Sequence, residues 1–158
     1  MAGASGPQQQ MPRYYPPVGF HFKVEVLGLT ANANDVRFSE VSGLSVEMGT
    51  EEVAEGGENR FIQRYPTRAS YQELVLKRGL LLDSEVGKWV RQCIEDLDIR
   101  PLDIDIKLLN DDHQPLMTWH VVKAYPTRWA ISDLVASHNA VVVESLQLYY
   151  QYFRVDRS

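Results

Sequence analysis

The chain has 158 residues, 44% hydrophobic and 23% charged, the composition of a single globular domain able to bury a core. Lys and Arg total 16 against 21 Asp and Glu, and the formal net charge of -5 argues against a general nucleic-acid or anionic-membrane binder, since both need a basic surface. One cysteine, Cys93, excludes an internal disulfide and fits a reducing compartment, and no apolar run approaches the roughly 20 residues of a membrane helix.

Met1 to Gln10 is small and polar with no apolar h-region, so no Sec-type signal peptide is expected and the chain reads as made in the cytoplasm. Residues 1–17 read as a flexible N-terminal arm, rich in Gly, Ser, Gln and Pro. Such a stretch is either disordered or orders on a neighbouring subunit through Tyr14 and Tyr15. Residues 18–153 form one domain, and 154–158 a C-terminal tail.

Phe20 to Leu27 alternates, with Phe22, Val24 and Val26 opposite His21, Lys23 and Glu25, the pattern of a half-buried strand. Thr30 to Asp35 is a turn, because Asn and Asp bond their own backbone. Val36 to Val41 is a second strand, interrupted by Ser42-Gly43. Leu44 to Val53 resumes, with Leu44, Val46 and Met48 on one face.

Ala54 to Asn59 carries two adjacent glycines, Gly56 and Gly57, which permit positive φ. Glu51, Glu52, Glu55 and Glu58 precede Arg60, Arg64 and Arg68, so residues 47–71 read as a protruding hairpin of mixed charge. Either it is a solvated loop with ion pairs worth under about 1 kcal/mol each, or it docks on another subunit with charge setting the register.

Tyr71 to Lys77 is a strand with Leu74 and Leu76 on one face, ended by Arg78-Gly79. The period then changes. Val86, Trp89, Val90, Cys93, Ile94 and Leu97 form one stripe of an amphipathic helix over 83–98, with Asp83 or Ser84 as N-cap and Glu85 suited to the positive end of its dipole. Trp89 is the plug, and Cys93, between Val90 and Ile94, is a buried thiol rather than a nucleophile.

Arg100-Pro101 stops the helix. Leu102, Ile104, Ile106 and Leu108 alternate with Asp103, Asp105 and Lys107 in the cleanest strand of the chain. Asn110 to Pro115 turns it into a hairpin partner over Leu116 to Tyr125, ended by Pro126. Thr127 to Asn139 is a short helix or an irregular packed loop. Ala140 to Phe153 is one long last strand, apolar on both faces. Tyr149, Tyr150 and Tyr152 near its end exceed what a small core needs, which points to a subunit interface or to an exposed aromatic edge. The pattern predicts a mainly β fold, an antiparallel β-barrel or sandwich of about seven strands with one flanking helix.

No motif carries catalysis. His21, His113, His120 and His138 stand at no metal-ligand spacing, no CxxC exists, Glu55-Gly-Gly-Glu58 lacks the lysine of a phosphate loop, and no GxSxG occurs. Asp103 and Asp105 are alternate residues of a solvated strand face rather than an acid–base pair. The expectation is a non-enzymatic chain without cofactor or metal.

Several strings in order resemble the tail-tube protein family of contractile phages and phage-like injection systems. They are Phe38-Ser-Glu-Val-Ser-Gly-Leu44, Glu55-Gly-Gly-Glu-Asn59, Leu74-Val-Leu-Lys-Arg-Gly79 with Trp89 following, Met117-Thr-Trp119, Ala124-Tyr-Pro-Thr-Arg-Trp129, Ala136-Ser-His-Asn139 and Val143-Glu-Ser-Leu-Gln-Leu-Tyr149. The resemblance implies a structural subunit of an inner tube: homo-hexameric rings that stack into a hollow conduit, a sheath protein outside, baseplate hub or spike proteins at one end, and protein or DNA cargo in the lumen. Sheath contraction then drives the tube through a target envelope. It implies that the 47–71 hairpin contacts the next ring or a neighbouring subunit, that Asp103, Asp105 and Lys107 are candidates for the lumen wall, and that the particle is a phage tail or a contractile particle outside or inside the cell. The N-terminal tail, the Thr30 to Asp35 turn and the Tyr-rich end are more elaborate than a minimal tube repeat. They keep a baseplate-proximal tube initiator as the second reading. A monomeric small-ligand-binding barrel is the alternative from another class.

Overall fold

The computed structural model describes residues 21–30, 35–54, 56–57, 60–137 and 140–157. The predicted Tyr14–Tyr15 arm, Glu55, Glu58 and His138 lie outside them. Alternation produces the strands where it was cleanest. β1 (His21–Val26) and β6 (Leu102–Leu109) are antiparallel neighbours, with Val24 opposite Ile106 and Val26 opposite Ile104. These four side chains are buried, while Lys23, Glu25, Asp105 and Lys107 lie on the opposite face.

The hairpin partner, β7 (Pro115–Ile131), is longer than its sequence suggests, with 17 residues. Pro126 does not end it. The ladder shifts register between Pro126 and Arg128, and a second irregularity, with Lys123 at φ 55, lies opposite Leu102 and Ile104. These irregularities let a proline sit inside a strand and let the strand bend. Its first half pairs with β6 on one edge and β9 (Tyr152–Arg157) on the other, and its second half pairs with β8 (Val143–Tyr149). The predicted long last strand is therefore two strands, broken at Tyr150-Gln151, and residues 154–157 are β9 rather than a tail. Thr127 to Ile131, expected as helix or loop, is the end of β7; Ser132 to Ser137 is irregular.

β5 (Leu74–Gly79) pairs with β8 on one side and with the short β2 (Glu40–Ser42) on the other. The sheet order is β1-β6-β7-β8-β5-β2, with β9 also on β7. The described residues hold nine strands, seven of them in this sheet, which runs as an open path bent at β7 into a sandwich rather than a closed barrel. One backbone bond, Val24 N to Val36 O at 3.0 Å, links the two ends of the path. The second strand expected over Val36 to Val41 is thus only β2, preceded by an irregular segment in which Phe38 is buried. Two further strands, β3 (Val46–Val53) and β4 (Gln63–Tyr71), form a separate antiparallel sheet, the predicted hairpin. Tyr71 ends β4, so the expected Tyr71 to Lys77 strand is split at Gln72-Glu73. At the root of the hairpin Gly43 stands at φ +91, where an added Cβ would lie 2.0 Å from the Glu73 carbonyl oxygen, so only glycine fits.

The helix α1 (Glu85–Ile94) is capped by Ser84, whose backbone is extended and whose Oγ accepts from Gly87 N at 3.0 Å. Val86, Trp89, Val90 and Cys93 are buried, in one core with Leu74, Leu76, Ile104, Val121, Leu146 and Leu148. Trp89 is 1% exposed and its Nε1 donates to the Arg100 carbonyl at 2.8 Å. The stripe stops short of its predicted end. Leu97 takes φ 55, which ends the helix, and both Ile94 and Leu97 are exposed.

Candidate assembly surfaces

Arg78, expected to break its strand, lies within β5 on the same inward face as Leu74 and Leu76, and is 4% exposed. It faces Glu144 across the β5–β8 ladder, where a charged pair continues the row Leu74–Leu148 and Leu76–Leu146. Its Nε donates to Glu144 Oε1, its Nη2 to Ser84 Oγ at 2.8 Å and its Nη1 to the Asp35 carbonyl at 3.3 Å, while the guanidinium lies 4.7 Å from the Phe38 ring centroid. Ser84 Oγ donates to Asp35 Oδ1, and Asp35 Oδ2 accepts from Glu85 N at 3.1 Å. Trp129 Nε1 donates to the remaining Glu144 oxygen at 3.2 Å. A buried charge is tolerable only when its polar atoms find partners. Among the described residues no buried side-chain nitrogen or oxygen lacks one. The network ties two strands, the Asp35 turn and the start of α1 together, and its members Ser84, Trp129 and Glu144 also border an open groove at the end of β5 and β8. The concavity beside it, lined by Phe38, Leu76, Val86 and Leu146 among others, holds about 10 Å³. That is room for one water at most, against the roughly 300 Å³ or more of a small-molecule site.

The polar face of β1, β6, β7 and β9 carries a charged grid. Glu25, Asp105, His120 and Arg154 stand in one cross-strand row, and Lys23, Lys107, Thr118 and Asp156 in the next. Lys23 pairs with Glu25 at 2.7 Å and Lys107 with Glu25 at 2.9 Å. Hydrogen bonds from Lys23 and then Lys107 hold the Glu25 carboxyl below the usual carboxylate range. His120 Nδ1 lies 2.7 Å from Asp105 Oδ1, and Asp103 Oδ1 accepts from Lys123 N at 3.0 Å. Asp105 and Lys107, two of the lumen candidates, are thus on one face, with signs interleaved; Asp103 stands exposed beside the β6–β7 irregularity. Among the described residues no cluster of His, Cys, Asp and Glu could hold a metal ion, and no helix is long and apolar enough to cross a membrane.

The hairpin β3–β4 brings Glu51, Glu52, Gly56, Gly57, Arg60, Arg64 and Arg68 onto one exposed arm. Glu52 pairs with Arg64 at 3.2 Å across the strands. The arm also exposes Val46, Met48, Val53, Phe61, Ile62 and Tyr65. Sequence reading placed charge there and missed this apolar content, although Phe61-Ile62 within a charged stretch was its visible sign. A lone two-stranded hairpin is marginally stable in water, and among the described residues β3 and β4 pair only with each other. At the root, the Tyr71 ring packs against Phe153 at 5.1 Å and Tyr150 at 6.0 Å between centroids.

The three interface tyrosines part company. Tyr149 is exposed and stacks on Tyr125, and Tyr152 is partly buried beneath the Arg154 guanidinium. Tyr150 is 3% exposed, its hydroxyl donating to the Gly43 carbonyl at 3.3 Å, so it is a core residue rather than a surface one. The break between β8 and β9 turns it inward. Burial, reinforced by Tyr71, pushes its phenol up to about 12.

Comparison with known proteins gives one family: a sequence model described as T4-like virus tail tube protein gp19 matches residues 18–154. Curated protein sequences give no match. Among solved structures, a chain of the 6-fold symmetrised baseplate of the anti-feeding prophage superposes with a TM-score of 0.80 at 29% identity, covering 90% of this chain and 97% of that one. A chain of the PVC sheath–tube complex, from an extracellular contractile injection system in its extended state, superposes at 0.79 with 26% identity, covering 98% and 100%. A type six secretion system protein shares the fold at 0.59 with 10% identity, covering 87% and 83%.

Proposed function

Because this chain belongs to the T4-like virus tail tube protein family, we propose that it is a structural, non-catalytic subunit of the inner tube of a contractile injection system or phage tail. In this role it forms hexameric rings that stack into a conduit, with a sheath outside and a baseplate hub or spike at one end. The observation that carries the reading is the family match over residues 18–154, joined to a likeness along the whole chain to the sheath–tube complex. Physical features agree with it. The uncovered arm is a surface that needs a partner. The outer edges of β1 and β9 have no ladder partner among the described residues, and apart from the Val24–Val36 bond they offer backbone groups for pairing between subunits. The polar grid with Asp105 and Lys107 would face the lumen, where interleaved charges resist adhesion of protein or DNA cargo.

A second reading, a tube-initiating ring beside the baseplate, is favoured by the baseplate likeness. Negative-stain microscopy of the purified protein, with light-scattering mass, tests both. Self-assembled tubes support the main tube subunit. Rings that do not stack at any concentration support the initiator. Monomers at every concentration overturn self-assembly as a tube.

A further inference from the structure

Two exposed apolar surfaces lie at opposite ends of β5 and β8. At one end, where Leu74 pairs with Leu148, the arm leaves and returns; its tip half exposes Phe61 (57%) and Ile62 (60%). At the other end, beyond the Gly79–Val143 pair, a groove of about 390 Å³ opens between Leu80–Leu82, the first turns of α1, Trp129 and Leu134. Leu82 is 92% exposed and Leu134 77%, so neither packs within the chain. The groove floor is set by the buried network, since Trp129 is held by Glu144 and Ser84 lies beneath. A rigid floor binds without an ordering cost of its own.

The charges match as well. Arg91 stands on the groove rim with no ion-pair partner among the described residues, only a long bond of 3.4 Å to the Gly87 carbonyl. On the arm, Glu52 is already paired with Arg64, while Glu51 has no such partner among the described residues.

We propose that this groove receives the arm of a second copy of the chain, with Phe61 and Ile62 against Leu82 and Leu134, and Glu51 meeting Arg91. The root of the arm and the groove lie at opposite ends of a six-residue strand, roughly 17 Å apart, and the arm carries Phe61 and Ile62 further from the groove of its own copy. A contact of this kind is heterologous, so each copy offers a free arm and a free groove after the first contact forms, and the chain of contacts continues. The inference rests on the tube reading and names the surface that links one layer to the next.

Two experiments on the full chain test it. In the first, Ile62→Cys with Leu82→Cys is oxidised with diamide and run on a non-reducing gel, with Cys93 left buried in place. A ladder of covalent multimers is expected from the pair and none from either single variant. Absence of a ladder while the particles still form tubes overturns the contact, and so does cross-linking by Leu82→Cys alone. In the second, Arg91→Glu or Glu51→Arg is expected to cut the tube mass above single rings at least tenfold, and the double reversal to restore it. Unchanged stacking in Arg91→Glu and Leu82→Asp, both exposed and harmless to folding, refutes the inference with the tube reading intact. A wild-type protein that forms neither rings nor tubes overturns the tube reading itself and the inference with it.

Discussion

Replacing Arg78 with methionine keeps most of the volume and removes the charge at the centre of the buried network. Two carboxylates then lose their counter-charge, because Glu144 and Asp35 both face the guanidinium, and Ser84 loses a donor. Breaking a buried ion pair by removing one partner costs about 3–5 kcal/mol. For a chain of this length, each kcal/mol moves the melting temperature by about 2–4 °C, so Arg78→Met should melt roughly 6–20 °C lower. Arg78→Lys should fall between, since one ammonium cannot reach Glu144, Ser84 and the Asp35 carbonyl together. The contrast is Glu52→Ala, which removes an exposed pair and should change stability by under about 1 kcal/mol. Thermal melts and urea titrations followed by far-ultraviolet circular dichroism, under conditions where each protein is unassembled, measure all three. If Arg78→Met costs no more than Glu52→Ala, the network does not hold the helix to the sheet.

Trp89→Ala removes the largest buried side chain and should cost about 3–5 kcal/mol, while Trp89→Phe keeps most of the packing and loses chiefly the bond to Arg100, about 1 kcal/mol; equal urea midpoints for the two would contradict this assignment. Tyr150 sets an alkaline limit. Its phenol is raised from 10.0 to about 12, so above pH 10 the unfolded chain releases a proton that the folded chain keeps. Stability is intact below pH 10 and falls as pH rises toward 12, and Tyr150→Phe should flatten that loss at the cost of the Gly43 bond. Parallel alkaline losses in the two proteins would rule it out.

What could be read in advance depended on distance along the chain. The alternation in β1 and β6 and the three-and-four spacing around Trp89 are local signals, and the elements formed where they stood. Arg78 was misread because its partners lie at positions 35, 84 and 144, and only tertiary pairing turns an apparent strand breaker into an inward-facing charge. Pro126 was misread for a similar reason: register shifts in the ladder supply the slack that a proline needs. Among the candidate interface residues, the charged arm was legible from Glu51 to Arg68. The inward turn of Tyr150 was not, because nothing in Tyr149-Tyr150-Gln151-Tyr152 marks where one strand stops and the next begins. The groove at Leu82 and Leu134 escaped notice because its walls are 52 residues apart in sequence.

The position of β8 bears on synthesis. It is the strand between β5 and β7, yet its residues, Val143 to Tyr149, leave the ribosome almost last, and β9 follows it. The early β6–β7 hairpin can form locally, but the two halves of the sheet stay unjoined until the final residues emerge. A chain cut short by truncated message or stalled translation thus lacks the strand that joins them. It cannot complete the root of the β3–β4 hairpin and the groove beside Leu82 at once, so an incomplete copy fails to fold rather than persisting with one surface intact.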